Sequence, residues 1–336
     1  MMNRISFFAI IFSGLIWVGC DSSNKSVEIS SKKDLPVITA NVPEFNADSA
    51  YYFIQKQVEF GPRVPNTRPH IVTGDFIISK LEKYGFEVQV QPFEATTFDD
   101  QKLYLRNIIG SYNKSASKRI LLAAHWDTRP FADKDDNNQD QPIDGANDGA
   151  SGVGILLEIA RSIDSGASKP QVGLDLIFFD GEDWGELNSG PRERPPANLD
   201  SWWCLGSQYW SKNKHESGYS AYYGILLDMV GGKNAQFPIE GYSNKYAGKV
   251  TRKVWDWGNA LGYGDIFIYD VKPEITDDHK YVNEIGKIPM MDIVHYDNEF
   301  GYFGDFHHTQ KDNMDLIDKR TIEAAGNTVL HVLYHE

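Results

Sequence analysis

The chain has 336 residues, 41% of them hydrophobic and 24% charged, with a formal net charge of −14. That size and balance suit one large globular domain, and the acidity argues against a nucleic-acid partner, whose phosphates call for a basic footprint. The two cysteines, Cys20 and Cys204, are too few for a zinc-thiolate cluster, so a metal here would use nitrogen and oxygen ligands.

Met1 to Arg4 is short and basic, and Ile5 to Val18 is a nearly uninterrupted apolar run. Its length is that of a signal-peptide core and too short for a comfortable membrane span. The run closes on Trp17-Val18-Gly19-Cys20, which resembles a bacterial lipobox although Trp17 stands where Leu is usual. Residues 1–19 are therefore expected to be a lipoprotein signal peptide. A lipid on Cys20 would anchor an exported, periplasmic protein to a bacterial membrane. Residues 20–45 begin Ser-, Lys- and Asp-rich and read as the lipidated terminus and a solvated tether. The folded domain is expected over 46–336.

Asp48 to Phe60 has helical periodicity through Tyr51, Tyr52, Ile54 and Val58, and Gly61-Pro62 stops it. Ile71 to Tyr84 is a second amphipathic helix, closed by Gly85. Phe86 to Gln91 and Lys102 to Ile109 read as strands. Arg119 to Ala124 is a short apolar strand that delivers His125, with Asp127 two residues on, a natural partner to fix the imidazole tautomer. The small-residue run Gly145 to Gly152 contains Asp148 at a place where the backbone can approach a site closely. A helix follows over Ser151 to Ile163.

Leu174 to Phe179 is a buried strand followed at once by Asp180-Gly181-Glu182-Asp183. Carboxylates at the mouth of a core are costly unless a cation or hydrogen bonds compensate. Adjacent residues point in different directions, so one of Glu182 and Asp183 can bind metal while the other faces substrate. Leu187 to Trp203 is an irregular insert of the kind that tends to be functional. Leu205 to Lys212 is a short helix, and Tyr222 to Leu227 is an apolar strand ending on Asp228, a buried acid that needs a partner. Tyr246 to Leu261 is a helix, Asp277-Asp278-His279 an acidic turn and Ile288 to Val294 a strand. Phe306-His307-His308-Thr309 offers two candidate imidazole ligands, and Lys319 to Tyr334 is a closing helix.

Strands alternating with helices predict a single α/β domain with a central, mostly parallel, mixed twisted sheet flanked by helices. Loops after parallel strands converge on one sheet edge, where active sites form. Imidazoles and several carboxylates gathered there describe a metal site, with zinc as the expected ion.

The motifs HWDTRP at 125–130, GANDGASGVG at 145–154, IFFDGED at 177–183, LLDMVGG at 226–232, TDDH at 276–279 and HHTQKDNMD at 307–315 carry a family likeness. From Asp48 onward the chain resembles the M28-type zinc metallopeptidase superfamily, and within it the bacterial glutaminyl cyclases (glutaminyl-peptide cyclotransferases). The resemblance implies that Asp148, Asp183 and His308 hold one catalytic zinc and that Glu182 is the general acid/base. Asp228 and Asp278 would join Glu182 in an acidic network. In the related di-zinc aminopeptidases, positions matching His125 and Asp228 bind a second zinc bridged by Asp148, and these residues are present here too. Two departures stand out: His307 where cyclases usually place Trp, and Asp183 where Glu is commoner.

The expected reaction is cyclisation of an N-terminal Gln to pyroglutamate with loss of ammonia, on exported peptides or proteins. Its alternative is hydrolysis of N-terminal residues by a di-zinc aminopeptidase. Trp184, Trp202, Trp203 and His307 are the expected pocket walls, and a monomer is the expected assembly.

Overall fold

The computed structural model describes residues 35–187, 194–297, 299–300 and 303–336. The expected signal peptide, Cys20 and the first part of the tether lie outside the described residues, as do residues 188–193 of the insert.

Two helices open the domain, α1 (Ala47–Glu59) and α2 (Arg68–Lys83). Asn46 and Thr67 cap them by accepting the amides of Ser49 and His70, which satisfies donors that a helix start leaves unpaired. Strands β1 (Glu87–Thr96), β2 (Lys102–Tyr112) and β3 (Arg119–His125) follow, then helix α3 (Ala150–Ser165) and strand β4 (Gly173–Phe179). Helix α4 (Leu205–Lys212), strands β5 (Tyr223–Asp228) and β6 (Phe237–Ile239), and helix α5 (Gly241–Ala260) come next. Strand β7 (Phe267–Val271), helix α6 (Asp278–Glu284), strand β8 (Met290–Val294) and helix α7 (Lys319–Tyr334) complete the chain.

Six strands form one sheet in the order β1-β2-β4-β3-β5-β8. The β1–β2 and β2–β4 pairs are antiparallel, and β4, β3, β5 and β8 run parallel. The chain leaves β3 to one side for β4 and crosses to the other side for β5. That reversal makes the C-terminal end of β3 a switch point, the usual place for a site in an open α/β sheet.

Alternate side chains divide the strands between two layers. Ile120, Leu122, Ala124, Leu176, Phe178, Ile225 and Leu227 share a core with residues of α1, α3, α5 and α7. Leu121, Ala123, Ile177, Phe179 and Leu226 pack instead with Trp210 of α4 and Val282 of α6. Helix α3 is buried almost all round. A Cβ placed on Gly152 would lie 2.1 Å from the Leu227 carbonyl oxygen, so only glycine lets the first turn of α3 meet the end of β5.

The sequence reading misses a small parallel sheet of β6 and β7. Strand β6 spans only three residues, one of them Pro238, and β7 is largely exposed, so neither carries a clear apolar alternation. Helix α5 starts at Gly241, ahead of the expected Tyr246, and is kinked at Ala247. The acidic turn is the cap and first turn of α6, with Asp277 accepting from the amide of Asp278. Among the described residues no helix is long and apolar enough to cross a membrane.

Candidate active site

His125 closes β3, Asp148 precedes α3, Glu182 and Asp183 follow β4, and Asp228 closes β5. All lie at the same edge of the sheet, where the loop holding His308 meets them. Two buried aspartates fix the backbone of these loops. Asp127 accepts the amides of Glu182 and Asp183, both at 3.1 Å. Asp312 accepts those of Asn147 at 2.7 Å and Asp148 at 3.0 Å. Beneath them the buried Arg63 guanidinium donates to the carbonyls of Trp126, Asp144 and Gly145. Burial pulls the Arg63 pKa down to about 10, and the carboxylates of Asp312, Asp127 and Asp148 work against that fall.

The His308 Nε2 lies 3.1 Å from Asp183 Oδ1 and 3.8 Å from Asp148 Oδ2. Neither oxygen of Asp183 accepts a hydrogen bond, although the residue is only 1% exposed. A buried carboxylate left this way is costly unless a cation compensates it. One imidazole nitrogen and two carboxylates suit zinc and leave a coordination position for substrate. His308 sits at φ +59°, an uncommon conformation for a residue with a side chain and one that recurs at functional sites. The Trp203 ring stacks on it, with centroids 5.7 Å apart and planes 6° apart. The Arg129 guanidinium covers Trp203 at 4.7 Å and donates to the Asp183 carbonyl. Arg129 also pairs with Asp133, whose Oδ1 lies 3.6 Å from His308 Nδ1.

His307 stands beside His308. Its Nδ1 faces Lys134 Nζ and its Nε2 lies 3.9 Å from Asp148 Oδ2. With Asp148 and His308 it forms a group whose ligand-type atoms all lie within 4.8 Å of one another, so it too can offer an atom to a metal. Burial, with the nearby cations, holds the His307 pKa well below its ordinary value.

His125 Nε2 lies 3.0 Å from Asp148 Oδ1 and 3.3 Å from Asp228 Oδ1. These three residues can offer atoms within 4.8 Å of one another, so the second-metal candidates also come together. The expected bond from Asp127 to this ring is not formed: His125 Nδ1 is 3.6 Å from Asp127 Oδ1 and has no hydrogen-bond partner. Asp127 is turned toward the two backbone amides instead.

Glu182 lies with Cys204 and Asp277 in a group whose ligand-type atoms are all within 4.8 Å. Burial pushes the Glu182 pKa well above the usual carboxylate range, with Asp183, Asp277 and Asp278 adding to the rise. Burial likewise pushes Asp228 up to about 7, helped by Asp277 and Asp148. Asp228 can then carry a proton near neutrality, and the rise at Glu182 favours its protonated form.

These groups surround a cavity of about 220 Å³, walled on its apolar side by Trp203, Met229 and Phe303. Three expected positions differ. Asp277, not Asp278, lines the cavity beside Glu182 and Asp228, while Asp278 is fully buried with neither oxygen hydrogen-bonded. Trp184 packs with Phe93, Leu103 and Leu205, and Trp202 lines a separate cleft with Phe93 and Tyr209. Of the expected aromatic walls, Trp203 and His307 are at the cavity. Arg63, Arg129, Asp133, Lys134, Cys204 and Asp312 escaped the sequence reading as site residues. Arg129 and Asp312 do lie inside quoted motifs, which was the available signal.

Peptidase family M28 matches residues 107–333 of the chain. The chain belongs to this family. Its M28 fold is similar to a Zn-dependent exopeptidase from Parabacteroides distasonis, at 50% identity over 88% of this chain and 100% of that one, with a TM-score of 0.84. It is equally similar to a Bacteroides thetaiotaomicron glutaminyl cyclase bound to N-acetylhistamine, at 49% identity, the same coverage of both chains and a TM-score of 0.84. A glutaminyl-peptide cyclotransferase from Dictyostelium discoideum is 24% identical over 89% of this chain and 87% of its own length.

Proposed function

We propose that the chain is a zinc-dependent glutaminyl-peptide cyclotransferase, which converts the N-terminal Gln of exported peptides or proteins to pyroglutamate and releases ammonia. The observation that carries this reading is the cavity of about 220 Å³ with Glu182, Asp228 and Asp277 beside Asp148 and His308, room for one small side chain. Likeness to glutaminyl cyclases over nearly the whole chain supports it.

Asp148, Asp183 and His308 would hold one zinc. When bound, that ion supplies Lewis acidity toward the γ-amide carbonyl of the substrate. Trp203, Met229 and Phe303 exclude water and fold the glutamine side chain back toward its own amine, so that ring closure is intramolecular. Glu182 takes a proton from the α-amine as it attacks and returns it to the departing ammonia. The raised pKa of Glu182 makes it a better proton acceptor than an ordinary carboxylate. Asp277 and Asp278 contribute to the negative surroundings that maintain this rise.

Hydrolysis of N-terminal residues is the second reading, favoured by the approach of His125, Asp148 and Asp228 as a second metal group and by likeness to a Zn-dependent exopeptidase. Against it stands the likeness to a glutaminyl cyclase, at 49% identity over 88% of this chain. Zinc content measured alongside product analysis on a Gln-initiated peptide separates the two. One zinc with pyroglutamate and ammonia is expected; two zincs with free amino acid would favour hydrolysis. Glu182→Gln is expected to abolish turnover while keeping the metal, and an active variant would remove Glu182 from its role.

Export as a lipoprotein anchored through Cys20, and action as a monomer, complete the proposal. They rest on the N-terminal sequence and on the expected substrates.

A further inference from the structure

We infer that Cys204 is a positioning residue for Glu182: its thiol holds one carboxylate oxygen of the proton carrier and leaves the other for the substrate. Cys204 is fully buried and stands at the cap of α4 in a left-handed conformation, φ +59°. It grips Glu182 at two points. Its backbone amide donates to the Glu182 carbonyl at 2.9 Å, and its Sγ lies 3.1 Å from Glu182 Oε1. The next amide, of Leu205, donates to the Gly181 carbonyl at 3.0 Å. The end of β4 and the start of α4 are thus joined back to back at the residue that must move protons.

The chemistry of a thiol suits this task. Burial among carboxylates keeps Cys204 protonated, so its S–H is a donor and the Glu182 carboxylate an acceptor. When Glu182 takes up a proton on Oε2, Oε1 becomes a carbonyl-type oxygen and still accepts from sulfur. The contact therefore survives both halves of the proton cycle and biases the mobile proton toward Oε2. No hydrogen bond from the described residues reaches Oε2, and Glu182 lines the cavity. A stronger donor, such as an ammonium, would hold the carboxylate in its charged form; a methyl group would leave its rotamer free. A weak donor orients it without fixing its charge.

The inference rests on the proposed role of Glu182, and its test separates the two. Cys204→Ala and Cys204→Ser are compared with wild type for zinc content, melting temperature, kcat and KM on a Gln-initiated peptide. The alanine variant is expected to lose roughly tenfold in kcat, with KM and zinc content unchanged, because orientation at the reacting group has been relaxed. Serine, whose hydroxyl also donates, is expected to recover most of that loss. Wild-type kcat in the alanine variant, or no recovery with serine, would overturn the inference. If wild type releases free amino acid instead of pyroglutamate, the cyclase reading fails, and the same comparison is made on the hydrolysis, where Glu182 again carries the proton.

A measurement that needs no change at Cys204 guards against misfolded variants. The S–H stretching band of wild type is compared with that of Glu182→Ala. A shift of the band on loss of the acceptor supports the contact, and an unchanged band refutes it.

Discussion

Asp127 illustrates how a residue can govern a site without reaching its cavity. One carboxylate takes the amides of both Glu182 and Asp183, so the proton carrier and the adjacent metal-ligand candidate share one support. Asp127→Ala is expected to reduce kcat/KM by roughly 10–100-fold, the usual cost of removing a group that orients metal ligands, as read in steady-state kinetics. Asp183 offers a direct test of the metal site. Its Oδ1 lies 3.1 Å from His308 Nε2 and 3.9 Å from Arg129 Nη1. Asp183→Ala should abolish the rise in melting temperature that added zinc gives wild type. Glu182, Asp183 and Asp148 were legible in the sequence because they follow buried apolar runs or sit among small residues. Asp277, which lines the cavity, was not singled out, since the face a short helix start presents is set by its cap; Asp278 lies fully buried and still adds to the rise at Glu182. The work of Asp127 and Asp312 was hidden because an aspartate that accepts backbone amides from a distant loop leaves no local pattern.

Elements with strong periodicity were read closely. Helices α4 and α7 match the expected bounds, and β3, β4 and β5 fall within one residue of them at either end. Strong amphipathicity or continuous apolar character leaves little choice in such segments. Strands β6 and β7 were missed because their pairing depends on partners distant in sequence. The contact between α3 and β5 was not foreseen either, although its glycine lies in plain view. Gly152→Val should destabilise the fold by about 3 kcal/mol or more, since its Cβ would meet the Leu227 carbonyl at 2.1 Å. Urea unfolding would measure this. The same variant should bind zinc less tightly, because Asp148 is carried on the loop entering α3.

At the scale of the whole molecule, the response to acid follows from groups that titrate differently in the folded chain. Burial favours protonation of Glu240, but His279 and the backbone amides of Ser243 and Tyr242 outweigh it and hold its pKa near 2. Relative to an ordinary value of 4.5, that corresponds to about 3 kcal/mol of stability. A depressed carboxylate contributes fully above pH 4.5 and loses its contribution as pH falls toward 2. Burial holds His295 and His331 near 4, so each loses stability between pH 6.5 and 4 as the unfolded chain takes up protons. Burial raises Asp228 to about 7 and Asp312 to about 8; these gain stability as pH falls toward 4 and oppose the histidines. Below pH 4.5 that opposition is spent. The melting temperature is therefore expected to drop steeply between pH 4.5 and 2.5, and the gap between wild type and Glu240→Gln should narrow over that range. A constant gap would contradict the assignment. Chain order and alternation made the parallel sheet legible, but this hub of Glu240, Ile275 and His279 joins segments that no local pattern connects.

The paired amides held by Asp127 and Asp312 bear on what happens when the ion is withdrawn. Carboxylates of the protein itself shape both loops, so their geometry does not wait for a cation to impose it. Dialysis against a chelator should leave the chain folded, inactive and ready to accept cobalt in place of zinc, with the visible spectrum of the substituted ion returning together with turnover.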